Sequence, residues 1–75
     1  MISATLLRRC SAQPHPFTLH LADGRKIRVP HGDHISVQPE GRVLLLWKPD
    51  GDVEFINLTL VTSLHGRHLP LSTET

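Results

Sequence analysis

Histidine is the residue type here with the widest chemical repertoire. His15, His20, His31, His34, His65 and His68 make six in 75 residues. Four of them fall in two pairs of the form His-Gly-x-His, at 31–34 and 65–68. A zinc site needs three or four ligands at about 2.0–2.1 Å from the metal, each oriented by its own hydrogen bonds. His31, His34, His65 and His68 would supply such a set if the two segments met. Nothing in the spacing brings them together, and with Cys10 the single cysteine no thiolate pair reinforces them. Solvated surface histidines are the plainer reading, and a histidine-based pH response is a third.

Other reactive types are sparsely framed. Cys10 could be a nucleophile, but at helical spacing from Leu6 and Leu7 it reads as a small apolar residue on a buried face. Ser36, Ser63 and Thr18 stand in no nucleophile elbow, and no Gly-rich phosphate loop or paired-carboxylate motif is present. A chain this short is expected to have little room for a ligand pocket of about 300 Å³. The sequence therefore predicts no enzyme, no cofactor and no small-molecule substrate.

Charge is small in total and uneven in placement. The formal balance is +1 overall, +4 over residues 1–31 and −3 over 32–75. Arg8, Arg9, Arg25, Lys26 and Arg28 are thus candidates for contacting an anionic partner such as a nucleic acid. Single-strand readers also need exposed aromatic rings. There is no tyrosine, and Phe17, Trp47 and Phe55 sit in strand patterns that suggest core positions, with the facing of Trp47 open.

These groups need elements to position them. Ser3 can cap a helix over 4–12, with Leu6, Leu7 and Cys10 on one side and Arg8 and Arg9 toward the other; Pro14 and Pro16 end it. From Phe17 the apolar period becomes two. Phe17, Leu19 and Leu21 face one way, and Asp23-Gly24 marks a hairpin turn. Ile27 and Val29 continue the inward face, with Lys26 and Arg28 outside. Ile35 and Val37 follow a bend at 30–33. Val43 to Trp47 is a continuous apolar run, which predicts a central strand covered on both faces. Val53 to Asn57 and Val61 to His65 complete the set, with a tight turn at 58–60. Leu19, Ile27, Ile35 and Leu45 are expected to share one interior. The expectation is a mainly β domain over 1–70: one short N-terminal helix, then a five- or six-strand antiparallel small barrel. Residues 71–75 read as a frayed tail.

Two resemblances attach to these residues. Phe17-x-Leu19-x-Leu21-x-Asp23-Gly24-Arg25 after a short helix, with Val29-Pro30-His31 and Val61-Thr62-Ser63-Leu64, resembles a group of short uncharacterised bacterial proteins. It implies a bacterial setting and no activity. Phe17-x-Leu19-x-Leu21-x-Asp23-Gly24-Arg25-x-Ile27 and Leu64-His65-Gly66-Arg67-His68-Leu69 are similar to the two motifs of the Sm-like barrels (an SH3-like architecture), which bind RNA as rings. Val29 stands where that family has a second glycine. His31-Gly32-Asp33-His34-Ile35 does not match its base-holding Asp-x-x-x-Asn segment, and His65 replaces its stacking arginine.

The remaining signal is surplus apolar surface on a small sheet. So short a chain buries only about 60% of its unfolded surface, and its sheet edges are pairing templates. Val43, Leu44, Leu46, Trp47 and Ile56 are candidate interface residues, with Leu58 and Leu60 on the same face as Ile56. A homo-oligomeric binding or assembly module is expected, with nucleic acid as the alternative partner. No apolar run reaches the roughly 20 residues of a membrane span, and residues 1–10 do not read as a secretion signal. With a lone thiol, this predicts a cytoplasmic protein.

Overall fold

Helix α1, Ala4–Ser11, begins where Ser3 holds an extended backbone and its hydroxyl accepts from the Leu6 N–H at 3.1 Å. That bond satisfies one of the donors a helix N-terminus leaves unpaired. The helix is one residue shorter than expected and buries Leu7 and Cys10. A computed structural model describes residues 2–69; the expected tail at 71–75 lies outside them. The helix packs against the third strand and the 3-10 turn before it. The Arg8 guanidinium fastens it there by donating to the carbonyls of Gln38 (2.7 Å) and Pro39 (3.2 Å).

Six short strands follow: β1 Phe17–Leu21, β2 Lys26–Val29, β3 Ile35–Val37, β4 Val43–Trp47, β5 Val53–Asn57 and β6 Val61–Gly66. The β1–β2 hairpin closes at Gly24, whose φ of 94° a side-chain-bearing residue would adopt only at a cost. Asp23 Oδ1 accepts from the Arg25 N–H at 3.0 Å in the same turn. The strands form two antiparallel three-stranded sheets, ordered β2-β1-β6 and β3-β4-β5.

The closed barrel is corrected to two sheets. Pro30, which has no N–H to donate, and a 3-10 turn at Gly32–His34 separate β2 from β3. A second 3-10 turn, Leu58–Leu60, stands between β5 and β6. Each break redirects the chain, so no ladder joins one sheet to the other among the described residues.

Both sheets and α1 contribute to one core: Leu7, Cys10, Phe17, Leu19, Leu21, Val29, Ile35, Leu44, Leu46, Ile56, Leu58 and Val61. Ile27 packs half-buried against it. Leu45, expected inside, points the other way: in β4 the buried side chains are Leu44 and Leu46. Register explains the choice, because Leu44 lies opposite Ile56, and that pair faces the core. The expectation that β4 is covered on both faces therefore fails. Its outer face is open at Trp47, and Phe55, expected in the core, is 65% exposed. Among the described residues no helix is long and apolar enough to cross a membrane.

Candidate functional site

The two sheets present outer faces of opposite character. On β3-β4-β5, the parity that sends Leu44, Leu46 and Ile56 inward sends Val43, Leu45, Trp47, Val53 and Phe55 outward. Leu45 lies opposite Phe55 and Trp47 opposite Val53, so these side chains form one apolar patch. Val53 is 50% and Trp47 42% exposed. Scattered apolar residues are normal on a surface, whereas a contiguous patch marks a contact surface. Among the described residues β5 pairs only with β4, so no described strand occupies its other edge. Of the interface candidates, Val43 and Trp47 are on this patch. Leu44, Leu46 and Ile56 are core, as is Leu58, while Leu60 is exposed in the second 3-10 turn.

On β2-β1-β6 the outer face is polar and cationic. Register sets Arg28, Thr18 and His65 in one cross-strand row and Lys26, His20 and Ser63 in the next. No carboxylate interrupts these rows. The inward rows, Val29-Phe17-Gly66 and Ile27-Leu19-Leu64, carry the apolar side chains.

Two open clefts flank Arg28, where so short a chain was expected to leave little room for a pocket. One, of about 420 Å³, is lined by His15, Thr18, Arg28, His65, Arg67 and His68 together with Pro16, Phe17 and Gly66. The His15 and His68 rings stand 4.9 Å apart there, tilted by 42°. The other, of about 520 Å³, is lined by Lys26, Arg28, His34, Trp47, Lys48 and Asp50, with Ile27, Pro30, Leu46 and Pro49.

The basic candidates thus separate. Lys26 and Arg28 lie on the cationic face. Arg8 is spent on the Gln38 and Pro39 carbonyls, and Arg9 is on α1, outside both clefts. Arg25 is held by Asp23 at 3.3 Å and by Glu54 at 2.9 Å. Glu54 also takes Lys48 at 3.1 Å, so one carboxylate ties the β1–β2 turn of one sheet to β4–β5 of the other. Hydrogen bonds from Arg25 and then Lys48 hold the Glu54 carboxyl below its ordinary pKa.

A depressed carboxylate contributes stability that is complete above its unfolded pKa and lost as pH falls through its folded one. Glu54→Gln is therefore expected to cost about 0.2–1 kcal/mol at neutral pH, less in high salt. Its stability curve should converge with that of the wild type below about pH 4. Urea melts across pH check this, and a constant difference down to acid pH would refute the linkage.

The four histidines proposed as metal ligands do not form one site. His34 lines one cleft, while His65 and His68 line the other. His31 Nδ1 accepts from the Asp33 N–H at 3.2 Å, and His34 Nδ1 lies 3.2 Å from the His31 carbonyl. Among the described residues no group of three or more His, Cys, Asp or Glu side chains is placed to hold a metal ion. Cys10 is 1% exposed, and burial raises its thiol pKa, which disfavours the thiolate a nucleophile requires.

Comparison with family models, with curated proteins and with solved structures finds no match to this chain. The residues of the site must then be read on their own geometry. Sequence reasoning missed Phe55, Val53 and Leu45 as surface and Arg67 as part of a basic cleft. No local signal marks Phe55 as surface: the alternation Val53-Glu54-Phe55 by itself favours turning Val53 and Phe55 inward, whereas the buried residue of β5 is Ile56.

Proposed function

We propose that the chain is a non-catalytic self-assembly module, joining copies of itself through the outer face of β3-β4-β5 and the open edge of β5. The observation that carries this is the exposure of Phe55, beside Val53 and Leu45, next to a strand edge that no described strand pairs with. The six outward side chains of β4 and β5 (Val43, Leu45, Trp47, Val53, Phe55 and the uncharged Asn57) carry no charge, so the face offers an oppositely charged partner nothing to recognise. A like face complements it. A two-fold axis at the β5 edge would pair that strand antiparallel with its copy and double the apolar patch. The resemblance to the ring-forming Sm-like proteins points to the same kind of partner, and the lone thiol fits a reducing cytoplasm.

Sedimentation velocity tests the reading. The wild type is expected to sediment as a multiple of 8.4 kDa, with its mass rising with concentration. Phe55→Glu places a charge in the patch without touching the core. It is expected to weaken association by about 2 kcal/mol or more, roughly thirtyfold, while leaving the strand signal in circular dichroism intact. A wild type that stays monomeric at the highest attainable concentration overturns the proposal.

A further inference from the structure

We infer that the outer face of β2-β1-β6, with the two clefts that meet at Arg28, binds a single strand of nucleic acid.

The face carries charge without compensation. Lys26, Arg28 and Arg67 are exposed, and none is ion-paired to a described residue. Fixed cations left unpaired favour an anionic ligand, and replacing the counterions they hold is the main source of affinity for a phosphate backbone. Around them stand donors that suit phosphate oxygens: the Thr18 hydroxyl and the rings of His15, His65 and His68.

The charged surface is also long. Arg28 lines both clefts, so the cationic surface runs from Arg67 and His68 at the β6 end, across the sheet, to Lys26 and Trp47. A small phosphorylated molecule would fill one cleft. A linear polyanion can use both and the rows between.

Trp47 is the single tryptophan, it is 42% exposed, and it lines a cleft with Lys26, Arg28 and Lys48. A ring beside cations is the arrangement on which unpaired bases stack, and a duplex, whose bases already stack on each other, cannot use it. Asp50 is the one acid among the described residues lining that cleft, and Lys48 is shared with Glu54, so the anion is expected to lie toward Lys26 and Arg28.

Fluorescence anisotropy with labelled oligouridylate and oligothymidylate, each also as a duplex with its complement, provides the test. Both single strands are expected to bind, more weakly as salt rises, and to change the emission of Trp47; the duplexes should bind several-fold more weakly. Arg28→Ala should reduce affinity about tenfold and make the salt slope shallower by about one. Arg42→Ala removes the same charge from an exposed site outside both clefts and should change affinity less than twofold. Inorganic phosphate at millimolar concentration should not displace the strand. No binding at low salt, equal losses in the Arg28 and Arg42 variants, duplex binding as tight as single-strand binding, or displacement by inorganic phosphate would each overturn the inference. Phe55, whose change to Glu tests self-assembly, lines neither cleft, so failure of either reading is distinguishable from failure of the other.

Discussion

Gly32→Ala is expected to separate α1 from the rest of the fold. Gly32 is buried at the start of the 3-10 turn between β2 and β3. A Cβ there would land on the backbone carbonyl of Ser11, the last residue of α1. Backbone cannot rotate away as a side chain does, so either the helix or the turn must move. The helix is the weaker party, since eight residues are too few for independent stability in water. Its departure would uncover Leu7 and Cys10, and Cys10 provides the readout. In the wild type the thiol should react slowly with an aromatic disulfide reagent, and in the variant at a rate approaching that of the unfolded chain. Gly24→Ala is the contrast: it has a φ of 94° but nothing within 4 Å, so it should cost only about 1–2 kcal/mol of backbone strain and keep Cys10 protected. Slow thiol reaction in Gly32→Ala, with an unchanged melting temperature, would refute the packing described.

The second large effect separates two phenylalanines. Phe17 is 2% exposed, on the inner face of β1 between Val29 and Gly66. Gly66 lets β6 lie close against β1 here, since a Cβ there would come within 3.1 Å of both the Phe17 Cβ and the Pro16 carbonyl oxygen. Truncating a buried Phe typically costs about 3–5 kcal/mol. At roughly 0.05–0.15 kcal/mol per residue, a chain of this length has about 4–11 in all. Phe17→Ala should therefore lower the melting temperature by roughly 15 °C or more, or abolish cooperative unfolding. Phe55→Ala, measured at concentrations where the chain is monomeric, should stay within about 0.5 kcal/mol of the wild type. Calorimetry of the two variants decides the matter, and the reverse order would mean that β5 faces the other way.

That comparison also shows where sequence reasoning stops. The strand positions were readable because β1, β2 and β3 alternate apolar with polar, and an alternating strand declares its own inner face: Phe17, Leu19 and Leu21 could go nowhere else. Ser3 and the prolines after α1 likewise bounded the helix by local chemistry. Val43–Trp47 has no alternation. Either parity buries apolar side chains, and the choice depends on which partner lies opposite. Leu44 goes inward because Ile56 does, and Ile56 does because Phe55 and Val53 share the other face. Such a pairing is a tertiary fact, as is the change from barrel to two sheets, where Pro30 marked a bend but not that pairing would stop there. On the cationic face, Lys26 and Arg28 were legible from alternation. The arrival of Arg67, His65 and His68 beside Arg28 was not, because it requires β6 to lie against β1.

The apolar and basic surfaces belong to different sheets and meet only at Trp47, which stands opposite Val53 and also lines the cleft with Lys26 and Arg28. Copies joined around Phe55 would therefore each still display the row of Arg28, Thr18 and His65. Engagement of a long strand by one copy would hold the next close to the same strand, at an effective concentration set by their separation. Avidity would then exceed single-copy affinity without any additional contact, and Phe55→Glu should weaken binding to long oligonucleotides while leaving binding to short ones nearly unchanged.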